Sequence, residues 1–494
     1  MIFPKEIEKI SENIKEAGFK AYLVGGSLRD LLLKREPKDW DIATNARPEE
    51  IQKIFPDSVY ENNFGTVAVK SGSDDPRLKI IEITTFRLEG KYTDLRHPNE
   101  IKFAETIKED LSRRDFTINS IALDLSSLKT KKSESIASDS LVDPFGGLKD
   151  LDKKIIRAVG LPDKRFSEDA LRLLRAVRFS SELDFVIEDK TFSSLKKNSK
   201  LLKKISEERI REEFEKMIMS PGASKGLILL RDSGLLEFVL PELLEGDKIS
   251  QNKHHIYDVF EHSLRSLDYA VKKDFNLELR LAALLHDIGK PRVKKGSGEN
   301  ATFYAHEIVG AKMASAALLR LCFSKKIIDK VRHLVRFHMF NYAVGEVTDA
   351  GVRRLVARVG LEHLDDLIKL READRIGSGV PKALPYKLRH LLYMIEKVRH
   401  DPISPKNLKI NGHDLMKLLK INPSPKIGMI LNALLDEVME APEKNDKKIL
   451  EKRAKELNKL SDEELAALMV ESKKKQAAFE AAVDEEIKSK HYIK

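Results

Sequence analysis

Cysteines, a signal-type start and long apolar runs are what this sequence lacks. Its one cysteine, Cys322, cannot form a disulfide within the chain, which excludes the disulfide-rich secreted class. No uninterrupted apolar run is long enough to span a bilayer, and the first residues, MIFPKEIEKI, lack the apolar core of a signal peptide. We therefore expect a cytoplasmic protein with no membrane partner.

The chain is long and carries a net positive charge. The chain has 494 residues, which predicts several domains, and 41% of them are hydrophobic, enough to build real cores. The net charge is +10 and the isoelectric point is near 9.1. This charge favours a polyanionic partner, although it carries no information about the fold.

The stretch YLVGGSLRDLLLKREPKDWDIAT is the part around which the rest of the chain is organised. Its apolar run, Gly-Gly-Ser turn and second short β-type segment alternate in a regular order. The pattern predicts a buried strand, a turn, a helix and a second strand, over residues 22–24, 25–27, 28–33 and 39–43.

Two carboxylates stand in the second of these strands. Because side chains alternate across a strand, Asp39 and Asp41 project from the same side. Neighbouring carboxylates repel each other, and the usual reason to keep them together is a divalent cation bound through oxygen. Two Mg²⁺ ions held in this way can clamp the attacking and leaving oxygens of an in-line phosphoryl displacement.

The turn before the helix is suited to a phosphate. Gly25, Gly26 and Ser27 offer backbone N–H groups and the positive end of a helix dipole, and Arg29 can add a bidentate contact. A lone Asp-x-Asp or a lone Gly-Gly is most simply an ordinary turn with solvated carboxylates. The two together, in strand–turn–helix–turn–strand order, indicate nucleotide chemistry instead.

The pattern Gly-Gly-x-x-Arg-Asp, a spacer and Asp-x-Asp is met by six residues: Gly25, Gly26, Arg29, Asp30, Asp39 and Asp41. It resembles the signature of the class II tRNA nucleotidyltransferases and bacterial poly(A) polymerases, within the DNA polymerase β-like nucleotidyltransferase superfamily. The resemblance implies an α+β multidomain fold. A catalytic head with a small mixed sheet and helices would be followed by all-α neck, body, HD and tail regions.

A second motif follows a polar segment. Residues 86–98 resemble the family's flexible loop, which helps the enzyme change from adding C to adding A; it is full length here, with His97 where many relatives carry Arg. Residues 109–124 predict a helix and match the family's Arg-Asp-x-x-x-Asn motif. The resemblance implies nucleotide binding by Arg114, Asp115 and Asn119, with Arg114 on the triphosphate and Asp115 on the sugar.

A helix with a column of arginines is predicted over residues 165–179, with Ser167 as its N-cap. A charged solvated stripe is the simple alternative, but the helix has a separate apolar stripe for packing. It resembles the family's Glu-Asp-x-x-Arg motif. That resemblance implies that Asp169 and Arg172 pair with the Watson–Crick edge of the incoming C or A. We expect Arg175 and Arg178 to face phosphate.

Three further features receive supporting roles. Residues 143–147 predict a tight structural turn, and residues 205–217 a helix that supports the preceding one through Arg209, Ile210 and Glu213. Glu82 lies on a predicted strand and is a possible third carboxylate of the metal site, although we favour an ordinary strand-face position.

A second constellation begins near residue 254. Adjacent His-Asp at the end of an apolar helix, LAALLHDIGKP, matches the HD phosphohydrolase pattern. Imidazole and carboxylate ligands from several helices can bind a transition metal and activate water. The expected ligands are His262, His286, Asp287 and Asp374, with His306 and His338 as a second-metal or phosphate shell. Such domains also persist as scaffolds, so activity is left open.

The chain is accordingly divided into five parts. The expected boundaries are a catalytic head at 1–155, a neck and body at 156–245, an HD domain at 246–400, a tail that contacts tRNA at 401–441, and an exposed, charged helical extension at 442–494. Residues 129–140 predict a disordered insertion. No oligomeric state is predicted.

The predicted reaction is template-independent addition of CCA to the 3′ end of tRNA, with CTP and ATP as substrates and Mg²⁺ held by Asp39 and Asp41. One alternative is a poly(A) polymerase, but residues 43–70 contain no Gly-Arg-Arg-Phe segment of the kind found in some of them. A second alternative is a partial enzyme that adds only CC or only A. The full-length loop argues against an enzyme that adds only CC. An alternative from a different class is a metal-dependent phosphohydrolase whose head only binds RNA.

Overall fold

The computed structural model describes residues 3–60, 65–89, 101–127, 140–251, 256–340, 359–399, 408–440 and 444–461, with the isolated positions 352, 355, 356, 464 and 465. Two compact units are present. The first comprises Met1–His338 and Lys369–Pro381, and the second Met339–Ile368 and Lys382–Lys494. The head predicted at 1–155 and the neck predicted at 156–245 lie within the first unit, and the HD domain predicted at 246–400 is divided between the two.

A seven-stranded mixed sheet forms the head, in the order β3-β4-β5-β2-β1-β8-β9. Among the strands of this sheet that the structure describes, only β2 and β5 pair in parallel. The strands are β1 Ala21–Val24, β2 Asp41–Thr44, β3 Ser58–Tyr60, β4 Thr66–Lys70, β5 Ile80–Thr85, β8 Ala122–Asp124 and β9 Leu141–Val142, with a separate ribbon of β6 Arg87–Glu89 and β7 Ile101–Phe103. β1 is buried along its whole length, as its unbroken apolar run requires. The predicted small mixed sheet is confirmed.

Five helices accompany the sheet: α1 Lys5–Glu16, α2 Gly25–Leu32, α3 Pro48–Ile54, α4 Ile107–Ser112 and α5 Gly147–Asp152. Ile7, Ile10 and Ile14 of α1 are buried, following the helical period. α2 starts at Gly25 itself, so the Gly-Gly-Ser segment is the first turn of the helix and does not precede it. β2 likewise starts at Asp41, and Asp39 lies just before it.

The helix predicted over residues 109–124 is wrong. α4 begins at the Thr106 cap and ends at Ser112, a single 3-10 turn spans Thr117–Asn119, and β8 then pairs with β1. Ala122 and Leu123 of β8 are apolar and buried, and the strand lies between β1 and β9. A short buried run of this kind cannot be told from a helix by periodicity alone.

The single helix predicted over residues 165–179 is also wrong. α6 Pro162–Glu168 starts with proline in its first turn, and α7 Leu171–Leu183 follows after a break at Asp169, whose backbone is extended (φ −137°). Ser167 is therefore inside α6 and is not an N-cap. The break puts Asp169 where two helices meet, which no periodic pattern indicates.

All-α structure follows, as predicted, apart from the two-residue parallel strands β10 Ile155–Ile156 and β11 Val186–Ile187. The neck helices are α8 Asp189–Asn198, α9 Glu207–Ile218, α10 Ala223–Asp232, α11 Leu236–Val239 and α12 Pro241–Leu244. The HD helices are α13 Val259–Lys272, α14 Leu277–Leu285, α15 Lys290–Val293, α16 His306–Arg320, α17 Lys325–Phe337 and α18 Leu361–Gly377.

The second unit contains α19 Tyr386–Arg399, α20 Gly412–Leu419, α21 Pro425–Glu440 and α22 Lys447–Leu457. Leu450, Ala454 and Leu457 of α22 are buried in one core with α20 and α21. The extension predicted as exposed from residue 442 is therefore wrong over α22, because three apolar residues at helical spacing are enough to pack it among its charges.

Parts of several predicted segments fall outside the described residues, among them Asp94, Arg96 and His97 of the loop, nearly all of the insertion at 129–140, residues 401–407 of the tail, and residues 466–494 of the extension. Among the described helices, none is both long and apolar enough to cross a membrane.

Candidate active site

The start of α2, Asp41 and Arg114 converge where the interior strands β1 and β2 of the head sheet have a common end. Gly25 has φ +71°, and a methyl group on it would lie 3.1 Å from Asp41 Oδ2 and 3.3 Å from Arg114 Nη1. Glycine is needed twice here, for the left-handed backbone and for the space. Because these groups crowd one point, the carboxylate and the guanidinium border the same small opening beside the helix start.

The carboxylates of Asp39, Asp41 and Glu82 give this opening a negative charge. The parallel pairing of β2 and β5 puts Glu82 opposite Asp41, while Asp39 precedes Asp41 by two residues. Burial, then Asp39 and Glu82, raise the pKa of Asp41 to about 7, and Arg114 opposes them. Such repulsion is relieved by a bound cation, so the residues present fit a divalent metal. The sequence favours an ordinary strand-face position for Glu82. Its register beside Asp41 makes it a candidate third carboxylate of the metal site.

Ser27 and Arg29 are used inside the fold. The Ser27 side chain is fully buried and donates to Val24 O at 2.8 Å. Arg29 donates to Asp30 and, through Nη1, to Asn119 Oδ1 at 2.9 Å, and it is 8% exposed. Both side chains therefore have partners within the protein, and the phosphate contacts expected of them stay predictions. The backbone of Gly25 and Gly26 is left as the phosphate-binding candidate in this turn.

Asp115 is the centre of a second cluster. Its carboxylate accepts from Phe116 N at 2.8 Å, Asn119 Nδ2 at 3.2 Å and Arg175 Nε at 2.8 Å. Burial opposes ionisation of Asp115, but Arg175 and Arg172 outweigh it and lower its pKa to about 2. Asp115 is therefore an ionised acceptor at neutral pH. Arg175 is its partner, so its assignment to phosphate alone is too simple.

Asp169 and Arg172 are held by neighbours on both sides. Asp169 accepts from Leu171 N at 3.0 Å and from Arg209 Nη2 at 3.0 Å. Arg172 donates to Glu168 Oε2 at 2.8 Å and to the Arg113 carbonyl at 3.1 Å. Asp169 is thus tied to α9, and Arg172 to the head. Glu168 was missed as a partner, although its i,i+4 spacing to Arg172 is a usable signal.

Arg178 is held inside the fold by two carboxylates. Its guanidinium is buried and pairs with Glu213 at 2.5 Å and Glu182 at 2.8 Å. The pair with Glu213 links α7 to α9, while the phosphate contact of Arg178 stays a prediction. Glu213 is 35 residues away, a distance over which no helical spacing rule applies.

Six buried side chains form a second centre in the HD helices. His262, His286, Asp287 and Asp374 bring one possible ligand atom each within 4.8 Å of one another, and Asp287, His306 and His338 do the same. Asp287 Oδ2 lies 3.1 Å from His262 Nε2, while its Oδ1 lies 3.3 Å from His306 Nε2. Asp287 therefore belongs to both groups, with one oxygen directed to each.

Backbone carbonyls fix the tautomers of three of the four histidines of this centre. Nδ1 of His286, His306 and His338 lies 2.9, 2.7 and 2.7 Å from the carbonyls of Ala283, Phe303 and Val335. A carbonyl only accepts, so each Nδ1 carries the proton and each Nε2 is available to a ligand. The convergence of these nitrogens with buried carboxylates fits a transition metal, or a pair of them.

Close packing brings the second group together. A methyl group on Gly289 would lie 2.3 Å from the His306 carbonyl and 2.5 Å from Gly310 N. Only glycine lets the start of α16 approach α15 closely enough for His306 to reach Asp287. All six residues predicted for this centre are thus brought together.

Three family models match successive parts of the chain. The "Poly A polymerase head domain" matches residues 21–157, the "Probable RNA and SrmB- binding site of polymerase A" residues 184–246, and the "HD domain" residues 259–376. These segments coincide with the sheet-bearing head, the neck helices and the helices of the histidine centre.

One curated relative covers nearly the whole chain, and another covers about half of it. A CCA-adding enzyme of Ligilactobacillus salivarius is 35% identical over 458 residues, 92% of this chain and 97% of the relative. A CCA-adding enzyme of Lactobacillus helveticus is 47% identical over 231 residues, 47% of this chain and 54% of the relative. The crystal structure of the Bacillus stearothermophilus CCA-adding enzyme in complex with CTP is 28% identical, with a TM-score of 0.55 over 93% of this chain and 98% of that one.

Proposed function

The chain belongs to the family of CCA-adding enzymes, and from this premise we propose how its residues divide the work of the reaction. The enzyme adds C, C and A to the 3′ end of tRNA from CTP and ATP, without a nucleic-acid template, and releases pyrophosphate. The observation that carries the assignment of the catalytic centre is the convergence of Asp41, Gly25 and Arg114. We place its activity in the cytoplasm.

Asp39 and Asp41 are proposed to hold Mg²⁺, with Glu82 adding negative charge beside them. Bound there, Mg²⁺ would neutralise the triphosphate and lower the pKa of the tRNA 3′-hydroxyl. The raised pKa of Asp41, caused by burial and by its two acidic neighbours, supports a site built for a cation.

Arg114 and the backbone at Gly25 and Gly26 are proposed to bind the triphosphate, since both border the carboxylate pair. Asp115, ionised and held by Asn119 and Arg175, is proposed to accept a hydrogen bond from the ribose 2′-hydroxyl. A deoxyribose lacks this donor, so such a contact would favour ribonucleotides.

Asp169 and Arg172 are proposed to select the base. A carboxylate accepts from the exocyclic amino group that cytosine and adenine share, and a guanidinium donates to a ring nitrogen or carbonyl. Arg209 fixes the carboxylate and Glu168 fixes the guanidinium, which supports a rigid reader. A base with a carbonyl in place of the amino group would meet the carboxylate with another acceptor.

Asp169→Asn tests this reader. We expect kcat/KM for CTP and ATP to fall about tenfold to a hundredfold, and UTP and GTP to become comparatively better substrates, because an amide can also donate to a carbonyl. The measurement is steady-state incorporation of each nucleotide separately. Glu212→Gln, an exposed change on α9, is the matched control. An unchanged ratio of CTP to UTP incorporation would exclude Asp169 as the selector.

An incorporation assay on tRNAs ending before CCA, in C and in CC tests the function as a whole. With CTP and ATP we expect all three to be completed to CCA and then to stop. Extension of the CC-ending tRNA alone would make the protein an A-adding enzyme, and a stop after CC a CC-adding one. Long A tails on any RNA would favour a poly(A) polymerase. No incorporation at all would turn attention to the HD centre.

A metal-dependent phosphohydrolase activity of the HD centre is the second candidate function. It is supported by the six buried ligand candidates and their fixed imidazole tautomers. A transition metal held there would supply an activated water at neutral pH. In this proposal the two activities occupy separate sites, and the helices within 401–441 serve as the tail that contacts tRNA.

A further inference from the structure

Asp110 is a buried carboxylate with no role in the proposal so far. It lies on α4, is 1% exposed, and both of its oxygens accept hydrogen bonds. Oδ1 accepts from Arg113 Nε at 3.0 Å, Arg113 Nη2 at 2.8 Å and the backbone N–H of Arg87 at 3.3 Å. Oδ2 accepts from Arg114 Nη2 at 3.1 Å.

We propose that Asp110 is a positioning residue for the incoming nucleotide, which sets Arg114 at the triphosphate and, through Arg113, Arg172 at the base. This rests on the proposed function, because it assigns no new reaction. Asp110 holds the Nη2 side of Arg114, which leaves Nη1 beside the Gly25 and Asp41 opening. The Asp110 carboxylate thus orients the Arg114 guanidinium, which would bind the phosphates.

The second arm runs through Arg113. Its guanidinium is held by Asp110 in the i,i+3 geometry, and its carbonyl accepts from Arg172 Nη2 at 3.1 Å. The backbone turn that Asp110 fixes after α4 is therefore the same turn on which the base-reading arginine rests. The Arg87 contact adds the first residue of β6, so the ribbon, α4 and both arginines meet at a single side chain.

The charge of Asp110 is what holds these donors. Burial opposes ionisation, but Arg113 and Arg114 outweigh it and lower the pKa of Asp110, which keeps it ionised at neutral pH. An amide of the same shape has one acceptor oxygen and an NH₂ group that faces other donors. Asp110→Asn would therefore release one of the two arginines and keep the volume of the core.

Asp110→Asn in the full chain is the test, with CTP binding measured by calorimetry and incorporation into tRNA ending before CCA measured by steady-state kinetics. We expect the Kd and KM for CTP to rise about tenfold or more, the KM for tRNA to stay within about threefold, and kcat to fall less than the affinity. Asp110→Glu keeps the charge at a shifted position and should give an intermediate Kd.

The control is Asp150→Asn, which removes another buried carboxylate of the head. Asp150 is 4% exposed and pairs with Arg157 at 3.0 Å and Thr117 at 2.7 Å. We expect it to lower thermal stability with little change in the Kd for CTP. An unchanged Kd for CTP in Asp110→Asn, or an equal rise in Asp150→Asn, would overturn the positioning role.

Two outcomes are kept apart by this design. A wild-type protein that incorporates no nucleotide would refute the proposed function, and calorimetry with CTP would still decide the role of Asp110. If Asp110→Asn does not fold, Asp110→Glu carries the same comparison, and a wild-type Kd in that folded variant would contradict the proposal.

Discussion

Asp39→Ala and Asp41→Ala are each expected to abolish CCA addition while tRNA still binds. The loss in kcat should be at least about a thousandfold, because the carboxylates supply several kcal/mol of charge stabilisation and each 1.4 kcal/mol is about tenfold in rate. Asp41 is the more severe case, since it lies at the Gly25 and Arg114 opening, whereas Asp39 is exposed just before β2. Incorporation of labelled CTP and a filter-binding assay for tRNA measure the two quantities.

Asp74→Ala is the matched control, because Asp74 is an exposed carboxylate of the same head in the turn between β4 and β5. It should incorporate CTP like the wild type. Incorporation retained in Asp41→Ala would contradict the metal-site mechanism. Loss of tRNA binding in the same variant would mean that the substitution had disrupted the head more widely than a ligand change should.

The head could be predicted from the sequence wherever a short apolar run stood between strong turn residues. Residues 22–24 form β1, and the alternation after Pro37 continues into β2. The small mixed sheet followed by helices was instead implied by the family resemblance, whereas the strand and turn signals were read from the residues themselves. These features are local, so a window of a few residues contains what is needed.

The errors occurred where tertiary contacts decide the local structure. Residues 122–124 are a strand because β1 and β9 pair with them on both sides, and residues 447–457 are packed because α20 and α21 cover three apolar side chains. Two of these partners, β1 and α20, are separated in sequence from the segments they contact by other helices or strands. Propensity is a weak prior in such places, and burial against distant elements overrides it.

In the candidate site, the sequence indicates which side chains belong to the motifs more readily than it indicates which way those side chains point. The motifs included Arg29 and Arg178 among the predicted site residues, but they did not indicate that both are buried and paired inside the fold. One partner of Arg178, Glu213, is 35 residues away, and one partner of Arg29, Asn119, is 90 residues away. A motif specifies which side chains meet, and only the folded backbone specifies which of their faces is left for a ligand.

Asp287→Asn is expected to empty the HD centre of metal. Asp287 directs one oxygen to each of the two ligand groups, so a single change weakens both. We expect transition-metal content after loading with Mn²⁺ or Ni²⁺ to fall from about two ions per chain to almost none, since oxygen and imidazole ligands of this type suit such ions. Elemental analysis of the dialysed protein measures the content.

CCA addition should survive this change, because the centre and the head carboxylates are separate sites. Asp268→Asn, on the same helix as His262 but outside both ligand groups, is the control and should bind metal like the wild type. Metal content that stays unchanged in Asp287→Asn would show that the six residues form a packed polar core and not a metal centre. If Asp287→Asn lost CCA addition together with the metal, the metal of the HD centre would be required for the head to fold correctly.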